Sequence, residues 1–164
     1  MKKIFSAFAI AAVITLAISS CKDDEETDPA CVGVNCQNGG TCDNGTCDCP
    51  TGYGGTLCET KANAKFEGLY TGTETCNTGG GNITVVITAL TDPLDLSIIY
   101  DGIALSADVL SYAGQQFTIP SQTVGGITYS GGGATLGQYG LYDININVTK
   151  SGGNVNSCSF NGDK

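Results

Sequence analysis

The chain lacks three residue types that carry much of protein chemistry. Its 164 residues include no tryptophan, no histidine and no arginine. Without histidine it has neither the usual general base nor the commonest metal ligand. Without arginine it lacks the planar guanidinium that grips a carboxylate or a phosphate at two points. These absences argue against many enzyme classes, so we expect a protein that is not an enzyme and that has no cofactor and no metal.

Positive charge is scarce as well. The cations are seven lysines, set against 16 acidic residues, and the net charge is −9. Binding to a nucleic-acid backbone needs a basic stripe of Lys and Arg, and seven scattered lysines do not form one. We therefore expect no nucleic-acid partner.

The first 20 residues have the order of a secretory signal peptide. Lys2 and Lys3 precede a nearly continuous apolar run over residues 4–18, which is shorter than the roughly 20 residues of a membrane-spanning helix. Ile18-Ser19-Ser20-Cys21 then resembles the bacterial lipobox, in which the cysteine is acylated and becomes the mature N-terminus. The resemblance implies a lipoprotein signal peptide over residues 1–20 and lipidation at Cys21. The alternative is a signal anchor that stays as a membrane helix.

An acidic tether is predicted over residues 21–30. Lys22-Asp23-Asp24-Glu25-Glu26 resembles the surface-export tag of Bacteroidetes lipoproteins, a lysine and a short acidic run after the lipidated cysteine. The resemblance implies a lipid-anchored protein of the bacterial outer membrane that is exposed at the surface. The alternative is an ordinary solvated spacer, because a run of like charges repels itself and stays extended.

Six cysteines crowd into residues 31–58, a segment too short to bury a core. Asn38-Gly39-Gly40 before the third cysteine, Cys47-Asp48-Cys49, and Gly52-Tyr53-Gly54-Gly55 before the last cysteine make this segment similar to an EGF-like domain. The spacing alone leaves fifteen possible connectivities. The family resemblance implies the three bonds Cys31–Cys42, Cys36–Cys47 and Cys49–Cys58.

Two further cysteines lie beyond the EGF-like segment. The chain has nine cysteines, an odd number for an exported protein. If Cys21 is acylated, eight remain, and Cys76 and Cys158 are left to pair with each other. We predict that their disulfide ties together the two ends of a sheet and closes a loop of about 80 residues.

Calcium is the alternative to a metal-free EGF-like module. Some domains of this family bind calcium through acidic residues before the first cysteine and between the third and fourth, and Asp28 and Asp43 lie roughly there. Pro29-Ala30 occupies the place of the family's acidic pair, however, and the loop between Cys42 and Cys47 is short. Zinc is disfavoured because an exported chain oxidises its thiols.

The rest of the chain, residues 65–164, alternates between apolar and polar residues with the period of a half-buried strand. The cleanest case is Tyr142, Ile144, Ile146 and Val148, which alternate with Asp143, Asn145, Asn147 and Thr149. We predict seven or eight strands, near residues 66–73, 83–90, 94–100, 103–110, 116–120, 126–130, 139–149 and 154–160. The fold class is therefore mainly β, a small disulfide-rich module followed by an antiparallel β meander that forms a small barrel or a sandwich.

The segments between these strands are read as connections. Lys61-Ala62-Asn63-Ala64 is predicted to be a linker. Gly79-Gly80-Gly81 and Gly131-Gly132-Gly133 are predicted to be turns, as are residues 92–93, 101–102, 125–126 and 152–153.

Three functional hypotheses follow. The first is a lipid-anchored cell-surface protein that has a non-enzymatic binding, structural or adhesive role and contacts a protein or a glycan. The second is small-ligand binding, since the segment from Phe66 to Gly72 resembles the first strand of lipocalin-type barrels, although side chains can fill a barrel of this size. The third is a paired-carboxylate hydrolase that uses Asp95 with Asp101 or Asp108.

Overall fold

The computed structural model describes residues 28–135, 144–152 and 154–164. The predicted signal peptide, Cys21 and residues 22–27 of the predicted tether lie outside these residues. So do residues 139–143, where the seventh strand is predicted to begin.

No helix in the three described ranges is long and apolar enough to cross a membrane.

The first part of the described chain is a small crosslinked module. It contains the first 3-10 helix (Pro29–Cys31) and the strands β1 (Thr41–Asp43), β2 (Thr46–Asp48), β3 (Tyr53–Gly54) and β4 (Thr60–Lys61). The antiparallel hairpin of β1 and β2 turns at Asn44-Gly45, where both residues have positive φ, as an Asn-Gly hairpin turn requires. Most of its side chains are exposed or half-buried, so three disulfides take the place of an apolar core. These bonds are Cys31–Cys42, Cys36–Cys47 and Cys49–Cys58.

Eight antiparallel strands form a closed barrel. They are β5 (Gly68–Cys76), β6 (Gly79–Ala89), β7 (Asp95–Tyr100), β8 (Ile103–Val109), β9 (Gln116–Val124), β10 (Ile127–Thr135), β11 (Ile144–Gly152) and β12 (Asn154–Asp163). Each strand pairs with the next in sequence, and β12 pairs with β5 to close the circle. The predicted fold class is confirmed, and the choice between barrel and sandwich is decided in favour of the barrel.

The barrel interior is filled by side chains. The inward residues of β7 and β11 are apolar and alternate with exposed or half-buried ones, as the sequence pattern predicts. Ring contacts cross the interior: Phe66 meets Phe117 edge to face at 5.3 Å, and Tyr100 meets Phe160 at 6.2 Å. The largest fully buried side chains include these four and Tyr70.

At one place in the barrel wall, a side chain replaces the backbone hydrogen bonds between two neighbouring strands. The strands β8 and β9 pair only at Asp108 with Thr118 and at Val109 with Phe117. Beyond that point Gln122 bridges the strands, since its Oε1 accepts from Ser106 N at 2.9 Å and its Nε2 donates to Ser106 O at 2.8 Å. The amide thus gives Ser106 the two hydrogen bonds that a strand backbone would otherwise supply.

Both predicted triple-glycine turns are wrong. Gly79-Gly80-Gly81 opens β6, and Gly131-Gly132-Gly133 lies inside β10. At Gly131 a Cβ would stand 2.0 Å from the Asn147 carbonyl oxygen. A Cβ at Gly80 would lie 2.2 Å from the Glu74 carbonyl oxygen. Gly80 and Gly131 therefore permit close approach between strands, a second reason for glycine in a sheet besides turning the chain.

The predicted linker is also packed rather than free. Residues Ala62–Phe66 form a second 3-10 helix, in which Ala62, Asn63 and Phe66 are buried. Phe66 was predicted to begin the first strand of the barrel. Instead it points into the end of the barrel, and its carbonyl oxygen accepts a 2.8 Å hydrogen bond from the Tyr70 hydroxyl. This short helix closes the end of the barrel that adjoins the crosslinked module.

Asn63 fastens the module to the barrel. Its Nδ2 donates to the carbonyl oxygens of Leu90 (3.2 Å), Asp92 (2.7 Å) and Asp95 (2.8 Å), all in or next to the turn between β6 and β7. Its backbone N–H donates to Pro93 O at 3.0 Å. The Asn63 side chain is completely buried. Each acceptor carbonyl also has a second donor, which is Lys61 Nζ for Leu90, Asp95 N for Asp92 and Leu90 N for Asp95.

Two glycines of the module allow the module to lie close to this end of the barrel. A Cβ at Gly54 would lie 2.1 Å from the Tyr112 ring, and a Cβ at Gly52 would lie 2.7 Å from the Pro93 side chain. The loop closed by Cys49 and Cys58 therefore rests directly on the barrel.

We predict that Asn63→Ala lowers the free energy of unfolding by about 1–2 kcal/mol, because the hydrogen bonds of a completely buried amide are lost. The midpoint of urea unfolding measures the change. Asn82→Ala is the matched control, since Asn82 is exposed on β6, and a change within about 0.5 kcal/mol is expected there. Equal midpoints for the two variants would contradict the role of Asn63.

We also predict that the free energy of unfolding falls as the pH rises from about 10 to 12. Burial raises the pKa of Tyr70 to about 12, whereas an unfolded tyrosine titrates near 10. In this window the unfolded state has already lost the proton that the folded state keeps, so rising pH favours unfolding. As the pH rises, the urea midpoint should fall less steeply for Tyr70→Phe than for the unaltered protein. An equal slope for the two proteins would show that Tyr70 contributes nothing to the pH dependence.

Candidate binding groove on the outer wall of the barrel

A shallow, open groove of about 690 Å³ lies on the outer wall of the barrel. It crosses β10, β11 and β12 and reaches the end of β5. Its floor includes Gly131 and Gly132. Its polar side chains are those of Thr75, Asn77, Asn147, Thr149, Ser157 and Ser159.

The groove exists because β10 carries no side chains where its neighbours carry polar ones. Gly132 is paired with Thr118 of β9 on one side and with Asn147 of β11 on the other. A Cβ at Gly132 would lie 2.6 Å from the Phe117 carbonyl oxygen, so the strands approach too closely for a larger residue. A second hollow of about 250 Å³ shares Gly132 and Asn147 with the first and extends it along the barrel.

Hydrogen bonds fix the amide side chains along one wall. Asn147 Nδ2 donates to Asn145 Oδ1 at 2.9 Å. Asn145 Nδ2 donates in turn to Asn161 Oδ1 at 2.8 Å and to Ser159 Oγ at 3.2 Å. These bonds hold the Asn147 amide in one orientation beside the glycine floor.

The groove straddles the strand pair that closes the barrel. Cys76 of β5 stands directly opposite Cys158 of β12, and the two form a disulfide. The turn after β5 is tied to β12 as well: Asn77 N donates to Ser157 O, and Asn77 Oδ1 accepts from Ser157 N, both at 3.2 Å. Thr75 of β5 and Ser159 of β12 lie next to this disulfide. They line the same groove only while β5 and β12 are paired.

A charged cluster lies inside the barrel behind the groove. Glu74 Oε1 accepts hydrogen bonds from Lys150 Nζ at 2.7 Å and from the Tyr100 hydroxyl at 2.9 Å. Burial, and then the hydrogen bond from Tyr100 to Glu74, raise the pKa of the Tyr100 hydroxyl. The Glu74 carboxylate also lies within 4.8 Å of both sulfurs of the Cys76–Cys158 disulfide. Disulfide sulfurs are not thiolates, so this cluster does not form a metal centre.

Two of the three carboxylates considered for hydrolysis are brought together, on the exposed surface of the barrel. Asp95 of β7 and Asp108 of β8 are cross-strand partners on the exposed face. Asp101 lies apart from them, in the turn between the same strands. None of the three lines the groove.

The carboxylate considered for calcium holds backbone groups instead. Asp28 Oδ1 accepts from Ala30 N at 2.9 Å, and its Oδ2 accepts from Asn44 N at 2.8 Å. Asp43 Oδ1 accepts from the Asn44 side chain. Asp28 thus ties the start of the module to its hairpin.

The groove residues did not emerge as a site from the sequence. The sequence predicts Asn145, Asn147 and Thr149 only as the solvent-facing side of a strand, and it predicts a turn at the glycines of β10. A run of three glycines between two polar strands was the signal that could have indicated the groove. A loop can have the same composition, so the signal does not distinguish the two.

We predict that removing the closing disulfide with Cys76→Ser and Cys158→Ser lowers the free energy of unfolding by about 4–5 kcal/mol. The bond spans 82 residues, and the chain-entropy model assigns roughly this stabilisation to such a loop. Urea unfolding of the double variant checks the value. A loss below about 1 kcal/mol would show that β5 and β12 hold together without the bond.

Residues 29–58 match the family model of the EGF-like domain. No curated protein and no solved structure matches the chain. The matched residues contain the three disulfides that the sequence resemblance implies. This part of the chain is therefore an EGF-like module, followed by an eight-stranded antiparallel barrel.

Proposed function

We propose that the protein is a lipid-anchored cell-surface protein that binds an external partner through the groove and catalyses no reaction. The EGF-like module and the barrel fit a non-enzymatic binding or structural role. The lipid anchor rests on the sequence from Met1 to Cys21, and the surface location rests on the acidic run that follows.

The position of the groove is the observation that carries this proposal. β5 begins at Gly68, beside the EGF-like module, and runs to Cys76, which at about 3.3 Å per residue lies roughly 26 Å away. Thr75, Asn77 and Ser157 therefore place the larger part of the groove toward the far end of the barrel. With the anchor before the EGF-like module in sequence, this arrangement holds the groove away from the membrane.

The contacts of Asn63 support the proposal that the EGF-like module holds the barrel in a fixed position. The EGF-like module contacts the barrel through a buried asparagine, the close approaches at Gly52 and Gly54, and Lys61, whose Nζ donates to Thr91 O at 2.8 Å. A partner bound to the barrel would then be held at a fixed distance from the tether.

The chemistry of the groove supports binding without catalysis. Its lining offers hydroxyls and amides, and among the described lining residues none is a carboxylate or a lysine. A hydroxyl needs an adjacent base to act as a nucleophile. Small-ligand binding inside the barrel remains the alternative, but the filled interior does not favour it.

The anchor is tested by Cys21→Ala in the native host. We expect the unaltered protein to fractionate with membranes and to incorporate labelled fatty acid, and the variant to lose both properties. Ser19→Ala is the matched control, because it keeps a small residue before the cysteine and should behave like the unaltered protein. Membrane retention of Cys21→Ala with its label intact would refute the lipid anchor.

The surface location is tested on intact cells by protease digestion. An anchored protein that faces the medium should be cleaved at the same protease concentration as a known surface protein. Protection until the outer membrane is opened would place it on the inner side.

A further inference from the structure

The lining of the groove selects against charged ligands. Its polar side chains are amides and hydroxyls, which offer hydrogen-bond donors and acceptors without charge, and the Cys76–Cys158 disulfide and Val148 complete the lining. A cationic ligand would find no carboxylate among the described lining residues. An anionic ligand would find no lysine there, and it would approach a protein of net charge −9.

Among the residues that the structure describes, the lining of the groove of about 690 Å³ contains no aromatic side chain. Ligand pockets for apolar groups are lined mainly by hydrophobic and aromatic side chains. Here Val148 points into the barrel, where it is 1% exposed, and the walls are formed by Asn147, Thr149, Ser157 and Ser159.

The groove is elongated and its polar groups are already oriented. Asn145 and Thr149 lie four residues apart on β11, or about 13 Å at strand rise. The hydrogen bonds among Asn147, Asn145 and Asn161 fix the amides before any ligand arrives, so less side-chain freedom is lost on binding.

From these features we propose that the groove binds a neutral oligosaccharide. This inference rests on the proposed function, because it names the partner of the same groove. Sugar hydroxyls both donate and accept, so they match a surface of amide and hydroxyl groups. The Asn147 amide binds the sugar hydroxyls beside the glycine floor, and the exposed backbone of Gly131 and Gly132 lets the sugar ring approach the sheet.

The test is calorimetric titration of the full chain, expressed with its own leader and purified in detergent. The probes are cellotetraose, maltotetraose and mannotetraose, with tetragalacturonate as the anionic counterpart. We expect at least one neutral tetrasaccharide to bind and tetragalacturonate not to bind. Binding of none of the neutral probes, or tighter binding of tetragalacturonate, would overturn the ligand class.

Variants locate the binding in the groove. Asn147→Ala should weaken the binding of the neutral probe by about five- to tenfold through the loss of a hydrogen-bonding side chain. Thr149→Val, which keeps the shape and removes a hydroxyl, provides a second measurement if Asn147→Ala does not fold. Asn82→Ala is the matched control outside the groove and should leave affinity unchanged. Equal affinity for the groove variants and the control would overturn the location.

The outcomes separate this inference from the function on which it rests. If Cys21→Ala abolishes anchoring and no neutral probe binds, the ligand class is wrong and the surface anchor stands. If a neutral probe binds and Cys21→Ala remains in the membrane with its label, the groove assignment stands and the anchor is wrong.

Discussion

The pairing of β5 with β12 is the constraint on which the barrel and its groove depend. It joins strands from opposite ends of the barrel sequence, and it includes the disulfide between Cys76 and Cys158. Closing a long loop costs chain entropy before any contact is gained. The disulfide lowers this cost because it already restricts the unfolded chain. Without this pairing the sheet would have two open edges, and the two sides of the groove would separate.

At the other end of the barrel, Asn63 joins two parts that are stabilised in different ways. The EGF-like module is held by disulfides because it is too small for a core, whereas the barrel is held by a filled interior of aromatic and aliphatic side chains. One buried amide with three carbonyl acceptors joins them, and Phe66 closes the barrel beneath it. The EGF-like module, the short helix that closes the barrel and the larger part of the groove thus follow one another along the molecule.

Much of this fold follows from local patterns. Alternation of the kind seen in Ile144, Ile146 and Val148 marks strands with one buried face, and the cysteine framework marks the EGF-like module. Local patterns fail where one residue type serves two purposes. Gly131 was read as a turn because glycine turns chains, but here it permits the Asn147 carbonyl to approach. The groove joins residues as distant in sequence as Thr75 and Ser159, and each of them alone looks like an ordinary solvated strand residue. Asn63 was read as part of a linker because an amide between alanines gives no sign of its buried acceptors.

Amide hydrogen exchange of the closing strands tests the closed barrel most directly. In the closed barrel, backbone amides of residues 72–75 in β5 and 159–162 in β12 should exchange as slowly as those in the centre of the β6–β7 pair, because all of them open only on global unfolding. Fast exchange of the alternate amides in both segments that point toward the partner strand, at rates typical of exposed sheet edges, would show that β5 and β12 are not paired and that the groove does not exist.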